Sequence, residues 1–193
     1  KKEGRCIFVR KAIFSVLVHN EYGVVTRISG LFTRRGFNIT SFTGEETEDP
    51  TISRITIVAE GDERELSQIK SQVEKLVDVI KVVELDIKAS VHRELALIKV
   101  GTDDKNRAEV FQIVESFRGK IIDIEPEAVV IEITGDIDKI KAFLNMMKHY
   151  GIIESVRTGI IALQRGKHSI HNEKKLFQEE TDKKCSEERE VLS

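Results

Sequence analysis

The sequence predicts an α+β fold built from two consecutive βαββαβ units. Three observations predict it. Apolar residues switch repeatedly between the two-residue spacing of a strand and the three-to-four-residue spacing of a helix. The resulting order of elements occurs twice within 193 residues. The punctuation recurs as well: Arg35-Gly36 is matched by Arg118-Gly119, Gly61-Asp62 by Gly135-Asp136, and the two prolines, Pro50 and Pro126, fall in the same hairpin of each half.

The first strand rests on Phe14, Val16 and Val18 alternating with Ser15, Leu17 and His19. Val24, Val25, Ile28, Leu31 and Phe32 then recur at helical spacing, and Gly23 stands where the two periods meet. Arg34-Arg35-Gly36 closes the helix, with basic residues in its last turn and a glycine after it. Phe37 to Phe42 reads as the second strand, Glu45 to Pro50 as an acidic hairpin loop, and Ile52 to Ala59 as the third strand. Gly61-Asp62 starts a second helix whose apolar face holds Leu66, Ile69, Val73, Leu76 and Val77, and Val79 to Ile87 completes the first unit. Lys88 to His92 is a short polar join.

The second unit repeats the order. Glu94 to Val100 is a strand, and Val110, Phe111, Val114 and Phe117 mark a helix. Lys120 to Ile124 and Ala128 to Thr134 are paired strands, Ile137, Ile140, Phe143, Leu144 and Met147 mark a helix, and Ile152 to Leu163 is the last strand. The domains are therefore 10–88 and 93–165, followed by a charged tail, 166–193, expected to be mobile. Each unit should form a four-stranded antiparallel sheet with two helices on one face. The other face needs a cover, which a second half or a second chain can supply, and this favours an oligomer.

Composition narrows the function. The net charge is −2 with acids and bases interspersed, so there is no footprint for nucleic acid or an anionic membrane. No apolar run approaches the roughly 20 residues of a membrane span. Cys6 and Cys185 suggest neither a disulfide framework nor a metal site, which fits a reduced, cytoplasmic protein. His168-x-x-His171 has helical metal-ligand spacing but no third ligand nearby. Phosphate-binding glycine loops, a nucleophile elbow and a zinc-protease helix are all missing. The βαββαβ order is shared by RNA-recognition domains and acylphosphatases. The first would need base-stacking aromatics beyond Phe42, and the second a phosphate loop where Glu21 stands.

What remains is the turn at Asn20-Glu-Tyr-Gly23. A glycine there admits a tight bend and close approach of a ligand. The first turn of the following helix offers free N–H groups and a partial positive charge to a carboxylate. Asn20 adds an amide oxygen and an amide nitrogen. The same residues also suit a plain turn, in which the asparagine only orders the backbone. The equivalent stretch of the second half, Gly101 to Arg107, is longer and carries Asp103 and Asp104, which would repel a carboxylate. The first half is thus expected to sense a free amino acid and the second to pack or contact a partner.

The run Ser15-Val-Leu-Val-x-Asn20-Glu-x-Gly23-Val-x-x-Arg27-Ile-x-Gly30-Leu-Phe, continuing through Arg35-Gly-Phe37-Asn38-Ile39-x-Ser41, resembles the small regulatory subunits of acetolactate (acetohydroxyacid) synthase. Asp49-Pro-Thr-Ile-Ser53-Arg54, Gly61-Asp62, Leu76-Val-Asp78-Val, Arg93-Glu94-Leu, Phe117-Arg-Gly119-Lys-Ile-Ile-Asp123 and Glu154-x-x-Arg157-Thr-Gly159 continue the likeness from about Arg10 to Arg165.

The resemblance implies two ferredoxin-like domains, the first an ACT domain that pairs with a second copy to bind valine or another branched-chain amino acid. It implies a noncatalytic homodimer that activates the large catalytic subunit and confers feedback inhibition. Thiamine diphosphate, FAD and Mg²⁺ belong to that subunit, which condenses pyruvate to acetolactate, or pyruvate with 2-oxobutyrate to acetohydroxybutyrate. Carried over by position, Asn20, Gly23, Val24 and Val25 would hold the polar end of the effector. Asn38 and Ile39 would reach it from the partner chain, with Ile39 and Val25 lining a small apolar pocket. Tyr22 and Glu45 are larger than the family pattern, which leaves the effector open among valine, leucine and isoleucine. An ACT module regulating a different enzyme is the alternative.

Overall fold

A computed structural model describes residues 9–167, 169 and 170. The first unit runs β1 (Arg10–His19), α1 (Val24–Arg35), β2 (Asn38–Glu46), β3 (Ile52–Gly61), α2 (Glu63–Val73) and β4 (Val79–Leu85). The second runs β5 (Ser90–Gly101), α3 (Arg107–Ser116), β6 (Lys120–Ile124), β7 (Ala128–Gly135), α4 (Ile137–Met147) and β8 (Ile152–Arg157), followed by β9 (Ile161–Gln164). Both sheets are antiparallel and share one topology, β2-β3-β1-β4 and β6-β7-β5-β8, with β9 added to the start of β5. The fold is the predicted pair of βαββαβ units.

Local chemistry explains the boundaries. Asp62 and Glu65 form a reciprocal capping box at the start of α2: the Glu65 N–H donates to Asp62 Oδ1 at 2.8 Å, and the Asp62 N–H donates to Glu65 Oε2 at 2.9 Å. Asp136 caps α4 through the Lys139 N–H at 2.8 Å. Gly36 ends α1 in the left-handed region, φ 69°. The helix-facing side of each sheet then buries one core. Phe14, Val16, Ile28, Phe32, Ile57 and Leu66 lead the first, and Ile98, Ile131, Ile140 and Phe143 the second. Each such side chain contributes about 1.5–3 kcal/mol over exposure.

Four details differ from the expectation. The stretch Ile152 to Leu163 is two strands, because Gly159 takes φ +82° and turns the chain between β8 and β9. Residues read as a polar join, Ser90 to His92, already belong to β5, where they pair with β9. α2 stops at Val73, so Val77 is 94% exposed rather than part of its buried face, while Leu76 packs against the core edge.

Finally, β1 is buried on both faces. Ile13 and Leu17 pack with Val58, Val83 and Leu85 into a third cluster, closed from outside by Ile160, Ala162 and Ile170. The cover for the first sheet therefore comes from the same chain, and that face gives no reason for a second copy. His168, His171, Cys6, Cys185 and the tail from residue 171 on lie outside the described residues.

Candidate functional site

The turn after β1 is organised from three directions. The Asn20 N–H donates to the Thr51 carbonyl at 2.8 Å. Its side-chain Nδ2 donates both to Glu46 Oε1 and to the Pro50 carbonyl, each at 3.0 Å. Two acceptors around one nitrogen fix the amide's orientation. Among the described residues nothing donates to Oδ1, so the oxygen is the end available to a ligand. The Pro50–Thr51 corner is itself held by Asp49, whose Oδ1 accepts from the Thr51 hydroxyl at 2.7 Å and the Thr51 N–H at 2.9 Å. Those bonds, hydroxyl first, hold the Asp49 carboxyl below its usual pKa.

Gly23 takes φ 83° at the N-cap of α1, a left-handed conformation that side chains rarely adopt. The Val24 N–H points at the Glu21 carbonyl over 3.4 Å. No described residue accepts from the N–H groups of Gly23 and Val25, which leaves them for an anion as expected of a first helical turn. Below the turn lies the Arg27 guanidinium. Its Nε donates to Asp78 Oδ2 at 2.5 Å and its Nη2 to the Tyr22 carbonyl at 3.1 Å. Asp78 also receives the His19 N–H at its own carbonyl, 2.9 Å away. One ion pair thus staples the end of β1, the turn and the start of β4.

A groove of about 480 Å³ opens above this turn, lined by Asn20, Val25, Phe42, Gly44, Glu46 and Ile55 among others. Val24 is buried with the core, whereas Val25 is 55% exposed, and both line the groove. Asn20, Gly23, Val24 and Val25 are therefore together. Asn38 and Ile39 are not with them. They begin β2, opposite Glu60 and Ala59, whereas the Glu46 end of β2 lies beside Asn20. The seven residue steps from Ile39 to Glu46 span about 23 Å at about 3.3 Å per step. A site using all six residues would need β2 from a second chain.

The second half's turn is closed. Asp103 Oδ1 accepts from the N–H groups of Lys105 and Asn106, both at 2.9 Å, and Asn106 Oδ1 accepts from the Asp103 N–H at 2.9 Å. Its amides are spent on its own side chains. Among the described residues no group of three His, Cys, Asp or Glu could hold a metal, and no helix is long and apolar enough to cross a membrane.

Sequence reasoning gave no role to Glu46, Arg27 or Asp78, which fix the turn. The spacing of Arg27, one helical turn after Gly23, was the available signal for one of them.

Comparison with known proteins agrees with this architecture. Residues 14–81 match the model of the AHAS small subunit-like ACT domain, and residues 93–166 that of the small subunit of acetolactate synthase. The probable acetolactate synthase small subunit of Methanothermobacter thermautotrophicus is 48% identical over 82% of this chain and 95% of its own length. The acetolactate synthase small subunit of Haemophilus influenzae is 43% identical over 83% of this chain and 99% of its own. The crystal structure of the Thermotoga maritima small subunit superposes with a TM-score of 0.77 at 46% identity, covering 82% of this chain and 99% of that one.

Proposed function

This chain belongs to the acetolactate synthase small-subunit family, and from that premise we propose that it is the noncatalytic subunit that binds valine, or a related branched-chain amino acid, and relays feedback inhibition to a catalytic partner. In this reading thiamine diphosphate, FAD and Mg²⁺ sit in the large subunit, and this chain raises that subunit's activity and makes it sensitive to end product. The protein works as a cytoplasmic homodimer.

The observation that carries the reading is the position of β2. It is an edge strand of the first sheet, with Asn38 at one end and Glu46, bonded to Asn20, at the other. Two such edges meeting antiparallel about a two-fold axis at Phe42 would set each Asn38 opposite the partner's Glu46, and so beside the partner's Asn20 turn. A valine zwitterion suits that place. Its carboxylate takes the Gly23 and Val25 amides, its ammonium takes Asn20 Oδ1, and its isopropyl group lies between Val25 and Ile39 of the other chain. A pocket of that kind separates side chains differing by one methylene by about 1–3 kcal/mol.

A site shared by two chains binds ligand only in one pairing geometry, so effector binding favours that geometry and linkage passes the preference to the catalytic subunit. Titration calorimetry of the chain with valine, leucine and isoleucine, with inhibition of the reconstituted synthase, tests the reading. It predicts saturable binding of valine and inhibition over the same concentration range. Co-purification with a thiamine-diphosphate enzyme other than acetolactate synthase would reassign the partner.

A further inference from the structure

Beside the apolar cover that Ile160, Ala162 and Ile170 give the first sheet, one tripeptide ties that sheet's edge strand to the second half. Thr158, Gly159 and Ile160 connect β8 to β9 and lie on the outer face of β2. Thr43 Oγ1 donates to the Thr158 carbonyl at 3.1 Å, and the Ile160 N–H donates to Ser41 Oγ at 3.2 Å. A Cβ on Gly159 would run into Ser41 Oγ and stand 2.8 Å from Thr43 Oγ1, so a side chain there would push both hydroxyls aside, and φ +82° disfavours one anyway. On its far side Thr158 is tied to β5. Its N–H donates to the Leu95 carbonyl at 3.0 Å, and its hydroxyl accepts from the Leu95 N–H at 3.1 Å. The neighbouring Arg157 forks onto Glu94 with both bonds at 2.6 Å.

β2 is arranged to receive this turn. Its register with β3 shifts between Ile39 and Ser41, and Thr40 Oγ1 donates to the Val58 carbonyl at 3.1 Å. Beyond that irregularity Ser41 and Thr43 face the second half while Phe42 faces the helices and packs on the first core. As an edge strand, β2 has β3 as its only strand neighbour among the described residues. The tripeptide is therefore a restraint on the edge itself, and its other end is anchored on the central strand of the second sheet.

We propose that Ser41, Thr43 and Gly159 are positioning residues of the effector response: the Thr158–Ile160 turn sets the placement of β2, and with it Asn38 and Glu46, and transmits a displacement of β2 to β5 and β8. This rests on the reading of β2 as the effector seam. Two variants of the full chain test it, Gly159→Ala, which wedges the contact open, and Ser41→Ala/Thr43→Val, which removes both hydrogen bonds without touching the turn.

The first readout needs no ligand. Amide exchange over Asn38–Glu46 should speed up by at least about tenfold in both variants while the buried β3 amides keep their protection. The second is the reconstituted synthase. Its half-inhibitory valine concentration should rise by at least about tenfold, and by more than any accompanying loss in the isolated small subunit's affinity for valine. Unchanged exchange in the double variant, or full inhibition in both, overturns the proposal. If valine fails to act on the wild-type complex while the exchange result holds, the effector reading falls and the fastening of β2 by the turn stands.

Discussion

Asn20 and Glu46, 26 residues apart in sequence, are joined by a 3.0 Å hydrogen bond from the asparagine Nδ2 to the glutamate Oε1. The bond decides which end of the amide faces the groove. Asn20→Asp would place a carboxylate oxygen against both Glu46 and the Pro50 carbonyl, three acceptors with no proton among them. The side chain must then turn away, and valine affinity should fall by about 10–100-fold, the equivalent of about 1–3 kcal/mol. Adding Glu46→Gln supplies a donor and should recover most of the loss. Calorimetry on the single and double variants measures both, and wild-type affinity in Asn20→Asp would remove Asn20 Oδ1 from the site.

Gly23→Asp and Asn38→His sit at the two ends of the proposed composite site. Both should fold and still bind the catalytic subunit, and both should lose valine sensitivity. Gly23→Asp carries an extra cost of about 1–2 kcal/mol for a side chain at positive φ, with its Cβ 3.2 Å from Arg27 Nη1. Thermal unfolding reads the first effect and inhibition assays the second. Full inhibition of both variants would move the effector elsewhere.

The hairpin corner that supports Asn20 should weaken in acid. Asp49 is held below its usual pKa of 3.8 by the Thr51 hydroxyl and N–H. A carboxyl depressed in the folded state stabilises it fully above the unfolded value and loses that contribution as pH falls through the folded one. The corner is therefore intact at neutral pH and loosens below about pH 4. The Thr51 amide, followed by NMR against pH, should show this step in the wild type and lack it in Asp49→Ala.

Arg157 and Glu94 make the most buried ion pair among the described residues, with the Glu94 side chain 4% exposed. Arg157→Ala would strand that carboxylate at a cost of about 3 kcal/mol, the low end for a buried pair because the arginine is partly solvated. Glu94→Leu in the same chain removes the stranded charge and should restore much of the loss. A denaturant series on the three proteins gives the comparison.

Two substitutions calibrate the cores. Phe143→Ala empties a fully buried position and should cost about 3–5 kcal/mol. Val77→Ser, at 94% exposure, should stay within about 0.5 kcal/mol. A large effect at Val77 would place it in a contact made only with another chain.

Periodicity carried the fold far. Residues such as Phe14, Ile28, Leu66 and Ile140 lie in the cores on the faces their spacing selects. The turn at Gly23 was legible as a turn, because strand spacing gives way to helical spacing there, while the role of Asn20 rested on the family resemblance. The burial of Leu17 was not, since alternation across β1 reads as one wet face, and the side chains that dry it, Ile160 and Ala162, arrive from more than 140 positions later. The break between β8 and β9 left a local trace in Gly159, but its φ reflects the fit to Ser41 and Thr43, a partnership no window of sequence displays. Likewise the Arg27–Asp78 staple joins 51 positions, beyond the reach of helical spacing.

The closure of the first sheet by Ile160, Ala162 and Ile170 bears on any attempt to reuse the first unit on its own. A fragment cut after β4 would lay bare a greasy plane of Ile13, Leu17, Val58, Val83 and Leu85 and would clump. A graft of this unit onto another enzyme has to bring the C-terminal strap along, or repaint those five positions with polar side chains. The first unit is portable only together with the segment that wraps it.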